Sequence, residues 1–591
     1  MDIREYIKEN RLIADGSFGT YYCEKYNTNE PPEYANILHP DRVYEIHEEY
    51  VKSGARLIRT NTFASNSILF SNKSNLIENI IFSIDIAKKV KKNYQDKMEL
   101  FIAGDIGPIE SSEISDDDKE KEYYNIAKLF IDNGINIINF ETFSESDILI
   151  NVAKKLKQEY SDIFIITQFC VNQFGYSNMS FSAKKLIFEV SECKDIDCIG
   201  FNCGVGPAHM KKILSEIGTD FGKYFIVLPN SGYPKKIRNR IVFSDNKSYF
   251  CENMAEIKEM GVDILGGCCG TNPEFIKMLN NICSDNNKGI KIKIDGIKIH
   301  DVKSSSGFYY DKDGNVKKDK LIAVELAPPL NVNDRNILNA AKILEKANVD
   351  IVTLPDSPSG RTRVDSVLMA EKIKNMTGLE VMPHICCRDK NAIAMRSQIM
   401  GAYINGINNL LIITGDPVPS VARQNVKSVF NFESVGLMKI IKDMNQELFS
   451  ENPMTYGGAI NQDRNIEVEL KRVIKKMEAG ATFFMSQPVF SDNDVTNLRT
   501  IKEKTGARIL CGIMPLISKK NALFIKNEIA GINVTDEIVA RFSDTDTRED
   551  GEEIGISIAK EVITKVSDFC DGYYFTFPFN RVSMLEKILK L

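Results

Sequence analysis

Short apolar runs alternate with longer stretches of helical period along nearly the whole chain, and this alternation limits the fold more than any other feature. A strand, an amphipathic helix and a further strand repeated in this order build parallel α/β architecture, because the helix must carry the chain back over the sheet. In the first half the runs at residues 12–15, 57–63, 100–104, 135–141, 163–169, 198–203, 224–229 and 264–268 read as strands, with helices over 44–51, 78–92 and 123–133 among the intervening stretches. Eight such units predict a closed (β/α)8 barrel. The second half repeats the rhythm at 322–326, 351–354, 381–385, 410–414, 454–457, 483–487, 509–513 and 573–577. Its last crossover is enlarged, with about two helices, 534–542 and 550–566, before the eighth strand. The expected fold is α/β, two TIM barrels in tandem.

Length agrees, since 591 residues exceed the roughly 250 of one barrel. Residues 274–282 suit the last helix of the first barrel, after which the chain turns charged and rich in Ser and Gly. We place an interdomain linker at 290–320, where Lys-Ile alternation suits a small hairpin, between domains at 1–289 and 321–591. With 43% apolar residues, 26% charged residues and a net charge of -6, the composition is globular and offers no basic surplus to a nucleic acid. The opening MDIREYIKEN lacks the apolar core of a secretory peptide, and no run approaches the ~20 apolar residues of a membrane span, so a cytoplasmic location is expected. The 13 cysteines, scattered over so long a chain, read as reduced thiols with some ligands among them.

Barrel chemistry gathers where the strands end. Cys203 closes the sixth strand of the first half, and Cys268 and Cys269 close the eighth. Thiolates from these neighbouring positions can meet one Zn²⁺ and leave its fourth position open. Such an electron-rich site suits an incoming alkyl thiol better than water, because a free thiol of pKa about 8.5 is mostly protonated at neutral pH. Gly266, Gly267 and Gly270 permit the close turns that bring adjacent cysteines together. Alone, the Cys268–Cys269 pair also reads as two buried small hydrophobes.

Six motifs give the first half a fuller meaning: ADGSFGT at 14–20, TNTF at 60–63, FET at 140–142, FNCGVGP at 201–207, PNSGYP at 229–234 and GGCCGTNP at 266–273. In this order they resemble the homocysteine S-methyltransferase family. The resemblance implies that Cys203, Cys268 and Cys269 hold zinc and that homocysteine sulfur takes the fourth position. It implies that Asp15 and Glu141 hold the ammonium of homocysteine, with Thr62 lining the pocket. Read singly, Glu141 is also a capping carboxylate and Thr62 an ordinary strand-end residue. Cys23, Cys170, Cys193, Cys198, Cys251 and Cys283 read as packing or surface residues.

In the second half the strand ends carry Glu325, Asp416 and Gln487 instead. Each alone is polar lining. Together they suit a reductive one-carbon reaction, which needs an acid to protonate an amine and a polar group to steer the ring. VELAPP, PHICCRD at 383–389, ITGDP at 413–417, the stretch KKMEAGATFFMSQPVF at 475–490, GIMP at 512–515 and FTFPFNR at 575–581 resemble the methylenetetrahydrofolate reductase family. The resemblance implies a noncovalent FAD that takes hydride from NADH or NADPH and passes it to folate. Glu325 would be the general acid, Gln487 would orient folate, and Asp416 would sit near flavin and pterin. His384 and Lys476 would contact FAD, the lysine at its pyrophosphate, and Arg581 would contact folate. His384 alone is equally a core histidine. Where these reductases often carry a tyrosine and a histidine after the fifth strand, this chain has Ile460 and Arg464. No G-x-G-x-x-G follows a strand, so the nicotinamide would bind at the flavin face. The vicinal Cys386 and Cys387 lack a third thiol and no metal is assigned to them.

The expectation is a bifunctional enzyme that makes methyltetrahydrofolate in one barrel and methylates homocysteine in the other. The methyl donor stays open among methylfolate, S-methylmethionine, S-adenosylmethionine and a methyl-corrinoid on a separate protein, since the chain has no Asp-x-His-x-x-Gly corrinoid segment. A rival reading makes one barrel a binding or regulatory module for homocysteine, flavin or folate. Monomer and homo-oligomer are both open.

Overall fold

The computed structural model describes all residues except 112–113, 234, 238–239, 244, 285–287, 295–306, 312, 348, 417–426, 530 and 591. The chain divides into two compact units, 1–297 and 298–591. The first contains parallel strands β1 (Leu12–Ile13), β2 (Leu57–Arg59), β3 (Phe101–Ile106), β4 (Ile137–Phe143), β5 (Phe164–Phe169), β6 (Cys198–Asn202), β7 (Tyr224–Leu228) and β8 (Ile264–Leu265). They pair in chain order, β8 pairs with β1, and a parallel bridge between Ala14 and Leu57 closes the ring. The second unit closes another parallel barrel from β9 (Leu321–Glu325), β10 (Ile351–Leu354), β11 (Val381–Cys386), β12 (Asn409–Ile413), β13 (Thr455–Ile460), β14 (Phe483–Pro488), β15 (Ile509–Ile513) and β16 (Gly572–Thr576). The two tandem barrels are those the alternation predicts.

Local sequence explains the surrounding helices. In Pro40–Lys52 a proline opens the first turn, and Val43, Ile46, His47, Tyr50 and Val51 recur at helical spacing to form the buried stripe. Arg548–Val566 starts at a capping box in which Thr547 and Asp550 satisfy each other's backbone amides. The enlarged crossover holds three helices, Lys519–Glu528, Asp536–Ala540 and Arg548–Val566, packed around Leu516, Val534, Phe542 and Ile558. The first of them escapes the apolar pattern because its only fully buried side chain is Ala522. A short antiparallel pair, Lys235–Ile237 with Arg240–Val242, inserted between β7 and β8, is also absent from the strand pattern.

The bottoms of the barrels are sealed differently. Helix Ile3–Glu9 inserts Ile3 and Ile7 among the strand starts Leu12, Phe101, Phe164 and Ile264. In the second barrel Phe308 and Tyr309 pack onto Leu321, Ile351, Phe483 and Leu510, and the Phe308 ring meets that of Phe483 edge-on at 5.1 Å. Part of the expected linker, 295–306, lies outside the described residues, as do Pro234 and Pro417 of the motifs. The described ends of that stretch belong to the barrels. Thr219 and Asp220 donate their amides to the Ile292 carbonyl at 2.9 and 3.1 Å, which laces residues 290–294 onto the first unit, and the other arm of the expected Lys-Ile hairpin lies outside the described residues. Among the described residues no helix is long and apolar enough to cross a membrane.

Candidate functional sites at the two barrel mouths

At the C-terminal rim of the first barrel, the Sγ atoms of Cys203, Cys268 and Cys269 all lie within 4.8 Å of one another. Their backbone is made for this. Cys203 leaves β6 with φ 58°, a left-handed conformation costly for a residue with a side chain. Gly204 and Gly270 continue in the same region, and a Cβ on Gly204 would come within 2.2 Å of the Val171 carbonyl. The Cys203 and Cys269 sulfurs are 3.7 Å apart, and Asn202 donates its side-chain amide to Cys268 at 3.8 Å. Cys170, which the sequence reading sets aside as packing, also touches the group. Hydrogen bonds from Cys170, and then from Cys268 and Cys269, pull the Cys203 thiol far below its usual range. The same coupling pushes Cys269 up to about 12. A divalent cation bound among these sulfurs would displace their protons. On the same rim, Asn230 Oδ1 and Ser231 Oγ are buried without partners.

Next to the thiols lies a buried charge network. Asp15 follows β1 and Glu141 sits within β4, as the motifs place them, but both are held by Arg59, the last residue of β2. Arg59 Nε donates to Asp15 at 2.7 Å and Nη1 to Glu141 at 2.6 Å, with all three side chains buried. Nη2 donates to the carbonyls of Gly16 at 2.7 Å and Gly267 at 3.2 Å. Asp105 joins through Asn139, whose amide donates to Asp105 at 2.7 Å and to Glu141 at 3.4 Å. Burial raises the Asp15 carboxyl above its usual range, and burial together with Glu141 raises Asp105 well above it. Thr62 is buried, its hydroxyl bonded to Thr60 and to the Asp105 carbonyl, both at 2.7 Å. Sequence reasoning missed Arg59, although a charge inside the apolar run LIRT was the available signal.

In the second barrel, strand alternation turns Glu325 of β9 and His384 of β11 toward the lumen, above Ala323 and Met382 of the core, and Gln487 lies near the end of β14, within a register shift between Met485 and Pro488. Tyr574, from neighbouring β16, donates its hydroxyl to Glu325 Oε2. Burial raises the Glu325 carboxyl above the usual carboxylate range, partly offset by the Tyr574 hydrogen bond and the charge of Arg363. Tyr574 and Arg363 are two further groups the sequence reading did not single out. Burial pushes His384 down to about 3, and its Nε2 has no partner. Gln487 exchanges backbone hydrogen bonds with the Gln462 side chain at 3.2 and 3.0 Å, which fixes the strand end. Asp416 is exposed after β12, its carbonyl receiving the Arg388 guanidinium at 3.0 Å. Lys476 stands on helix Ile466–Glu478, behind β13, donating to the Ala459 carbonyl at 2.6 Å, and burial lowers it to about 8. Arg581 follows β16 and pairs with Glu552 at 2.9 Å. Ile460 is fully buried at the end of β13, and Arg464 lies in the turn after it.

The two mouths match two different families. Residues 12–283 match homocysteine S-methyltransferase, and residues 311–590 match methylenetetrahydrofolate reductase. A methionine synthase from Mycobacterium leprae (strain TN) is 24% identical over 307 residues, a match that spans 47% of this chain and 24% of that protein. Among solved structures, the homocysteine methyltransferase MmuM from Escherichia coli aligns in its oxidized form with a TM-score of 0.40 and 17% identity, covering 47% of this chain and 98% of that one. Its metallated form aligns with a TM-score of 0.39 and 18% identity, covering 47% and 98%. The chain therefore belongs, half by half, to two families: homocysteine S-methyltransferase over residues 12–283 and methylenetetrahydrofolate reductase over residues 311–590.

Proposed function

We propose that the first barrel methylates homocysteine to methionine on a zinc ion held by Cys203, Cys268 and Cys269, and that the second reduces 5,10-methylenetetrahydrofolate to 5-methyltetrahydrofolate with FAD and a nicotinamide donor, NADH or NADPH. The observation that carries the reading is the convergence of three cysteine sulfurs within 4.8 Å at one barrel rim. That donor set fits zinc, and thiols gathered this closely suit a site that releases protons on metal binding. A bound zinc ion supplies the positive charge that keeps an alkyl thiol ionised at neutral pH. Asp15 and Glu141 hold the substrate's ammonium, with Thr62 bracing the strand beneath, and so aim its sulfur at the cysteine rim.

A cofactor ring rich in polar atoms suits the second mouth, where the buried His384 Nε2 has no protein partner. Bound FAD supplies the hydride chemistry. His384 and Lys476 would hold the flavin, Asp416 would sit near flavin and pterin, Gln487 would orient the pterin, and Arg581 would contact folate. Glu325 is the general acid. Its Oε2 accepts from Tyr574, which leaves Oε1 to carry the proton to the amine whose protonation opens the methylene bridge. Both reactions use soluble metabolites, in keeping with a cytoplasmic enzyme.

The test begins with metal analysis and colour. Zinc-loaded protein is incubated with homocysteine and, in turn, methylfolate, S-methylmethionine, S-adenosylmethionine or a methyl-corrinoid protein, and methionine is followed by mass spectrometry. Methylation with none of them overturns the transferase assignment. The purified protein should be yellow, bleach anaerobically with NADH or NADPH, and recover its colour on adding methylenetetrahydrofolate. A protein that binds no flavin overturns the reductase assignment.

A further inference from the structure

The Arg59 guanidinium donates to two carboxylates and two carbonyls, all within the first barrel mouth. A buried guanidinium is costly unless nearly every N–H is matched, and planar two-sided pairing of this kind fixes its partners' orientation as well as their charge. Here the partners are not incidental. Asp15 and Glu141 are the two carboxylates assigned to the substrate's ammonium, and Gly267 is the residue before Cys268. One side chain thus spans from the head-group carboxylates to the loop that carries two of the three converging thiols. Charge points the same way. Asp15 and Glu141 are two buried carboxylates paired with a single guanidinium, so the group retains acidic capacity for one more cation. The buried amide Gln168 extends it, donating to Asn139 at 2.7 Å while its Oε1 stays without a partner.

We propose that Arg59 is a positioning residue that sets substrate specificity. It holds Asp15 and Glu141 at a fixed distance from the thiol loop, so that a thiol binds well only if it also carries an α-ammonium. The proposal rests on the transferase reading of this barrel.

The test compares homocysteine with 4-mercaptobutanoate, which lacks the ammonium, by titration calorimetry on the zinc-loaded full chain, with metal content measured alongside. Arg59→Lys keeps the charge and loses the fork. It should retain metal, weaken homocysteine roughly 10- to 100-fold, the range for residues that orient direct ligands, and leave 4-mercaptobutanoate nearly unchanged. Arg59→Met should do the same more severely, and circular dichroism shows whether it folds; the lysine variant decides the matter if it does not. Equal weakening of both thiols would reduce Arg59 to a structural ion pair, and unchanged discrimination would remove it from specificity altogether. Should the unsubstituted protein bind neither metal nor thiol, the transferase reading itself falls and takes this proposal with it.

Discussion

The two barrels share a fold but gather the groups at their mouths to different degrees. In the first, the groups of interest are already one another's partners: sulfur beside sulfur, and Arg59 locked between Asp15 and Glu141. In the second, Glu325 pairs with Tyr574 of the neighbouring strand, while His384 stands apart on β11, two strands away. The difference follows from the size of what each would hold. A small ion needs donors gathered within a few ångströms before it arrives, and their mutual hydrogen bonds offset the cost of gathering them. A planar cofactor and a pterin bring their own donors and acceptors, so the protein can leave polar atoms spaced apart for them.

That contrast breaks most sharply at the thiols. Cys268→Ser removes one of three converging sulfurs and should cost more than the roughly 100-fold that outer-shell changes cost a metal site, leaving methyl transfer undetectable and zinc below one per chain. Flavin reduction in the same preparation should be untouched. Loss of the flavin in this variant would show that the two sites are not independent.

Glu325→Gln strikes the second mouth. The amide keeps the shape and the contact with Tyr574 but cannot give up a proton as the acid does. Stopped-flow measurements should show normal reduction by the nicotinamide donor and a slowing of reoxidation by methylenetetrahydrofolate of about 10²- to 10⁴-fold. A slowing of both half-reactions would mean that Glu325 shapes the flavin site instead of serving the folate.

The barrel bottoms extend the comparison to stability. Phe308 is buried under the second barrel with its amide bound to Asn409 at 3.0 Å, and Phe308→Ala should destabilise that unit by about 3–5 kcal/mol. Ile7→Ala, in the helix that seals the first barrel, should cost about 2–5 kcal/mol there. Chemical denaturation followed by flavin fluorescence for one unit and metal release for the other separates them. Equal effects of either change on both signals would contradict two separate cores.

Much of this was legible in the chain itself, and the exceptions have physical causes. All sixteen barrel strands stand out because a parallel strand buried on both faces is a nearly unbroken apolar run, as in FIIT at the start of β5. Helix Lys519–Glu528 did not stand out, since a helix that fully buries one alanine has almost no stripe. The sealing roles of Ile3, Phe308 and Tyr309 were hidden because a plug is defined by where the chain returns, not by local period. Thiols at strand ends announced the first mouth, since barrel geometry alone brings rim positions together. Arg59 offered only its charge inside an apolar run, and Cys170 and Tyr574 offered nothing, because each acquires meaning only through a partner from another strand.

Tyr574→Phe makes the gentlest test and bears directly on how the second mouth is tuned. Three influences act on the Glu325 carboxyl: burial raises it, and the Tyr574 hydrogen bond and the Arg363 charge lower it. A general acid works only while protonated, so the folate half-reaction should decline as pH rises through the Glu325 pKa. Removing the phenol hydroxyl takes away a donor that favours the ionised form, so the pKa moves further up and the declining limb moves to higher pH. The plateau rate below that limb should change little, because the pairing of β9 with β16 still holds the strand that carries the carboxyl in place. Flavin reduction, which does not draw on this proton, should keep its pH profile. A limb that stays where it was would mean that the declining rate reports some group other than Glu325.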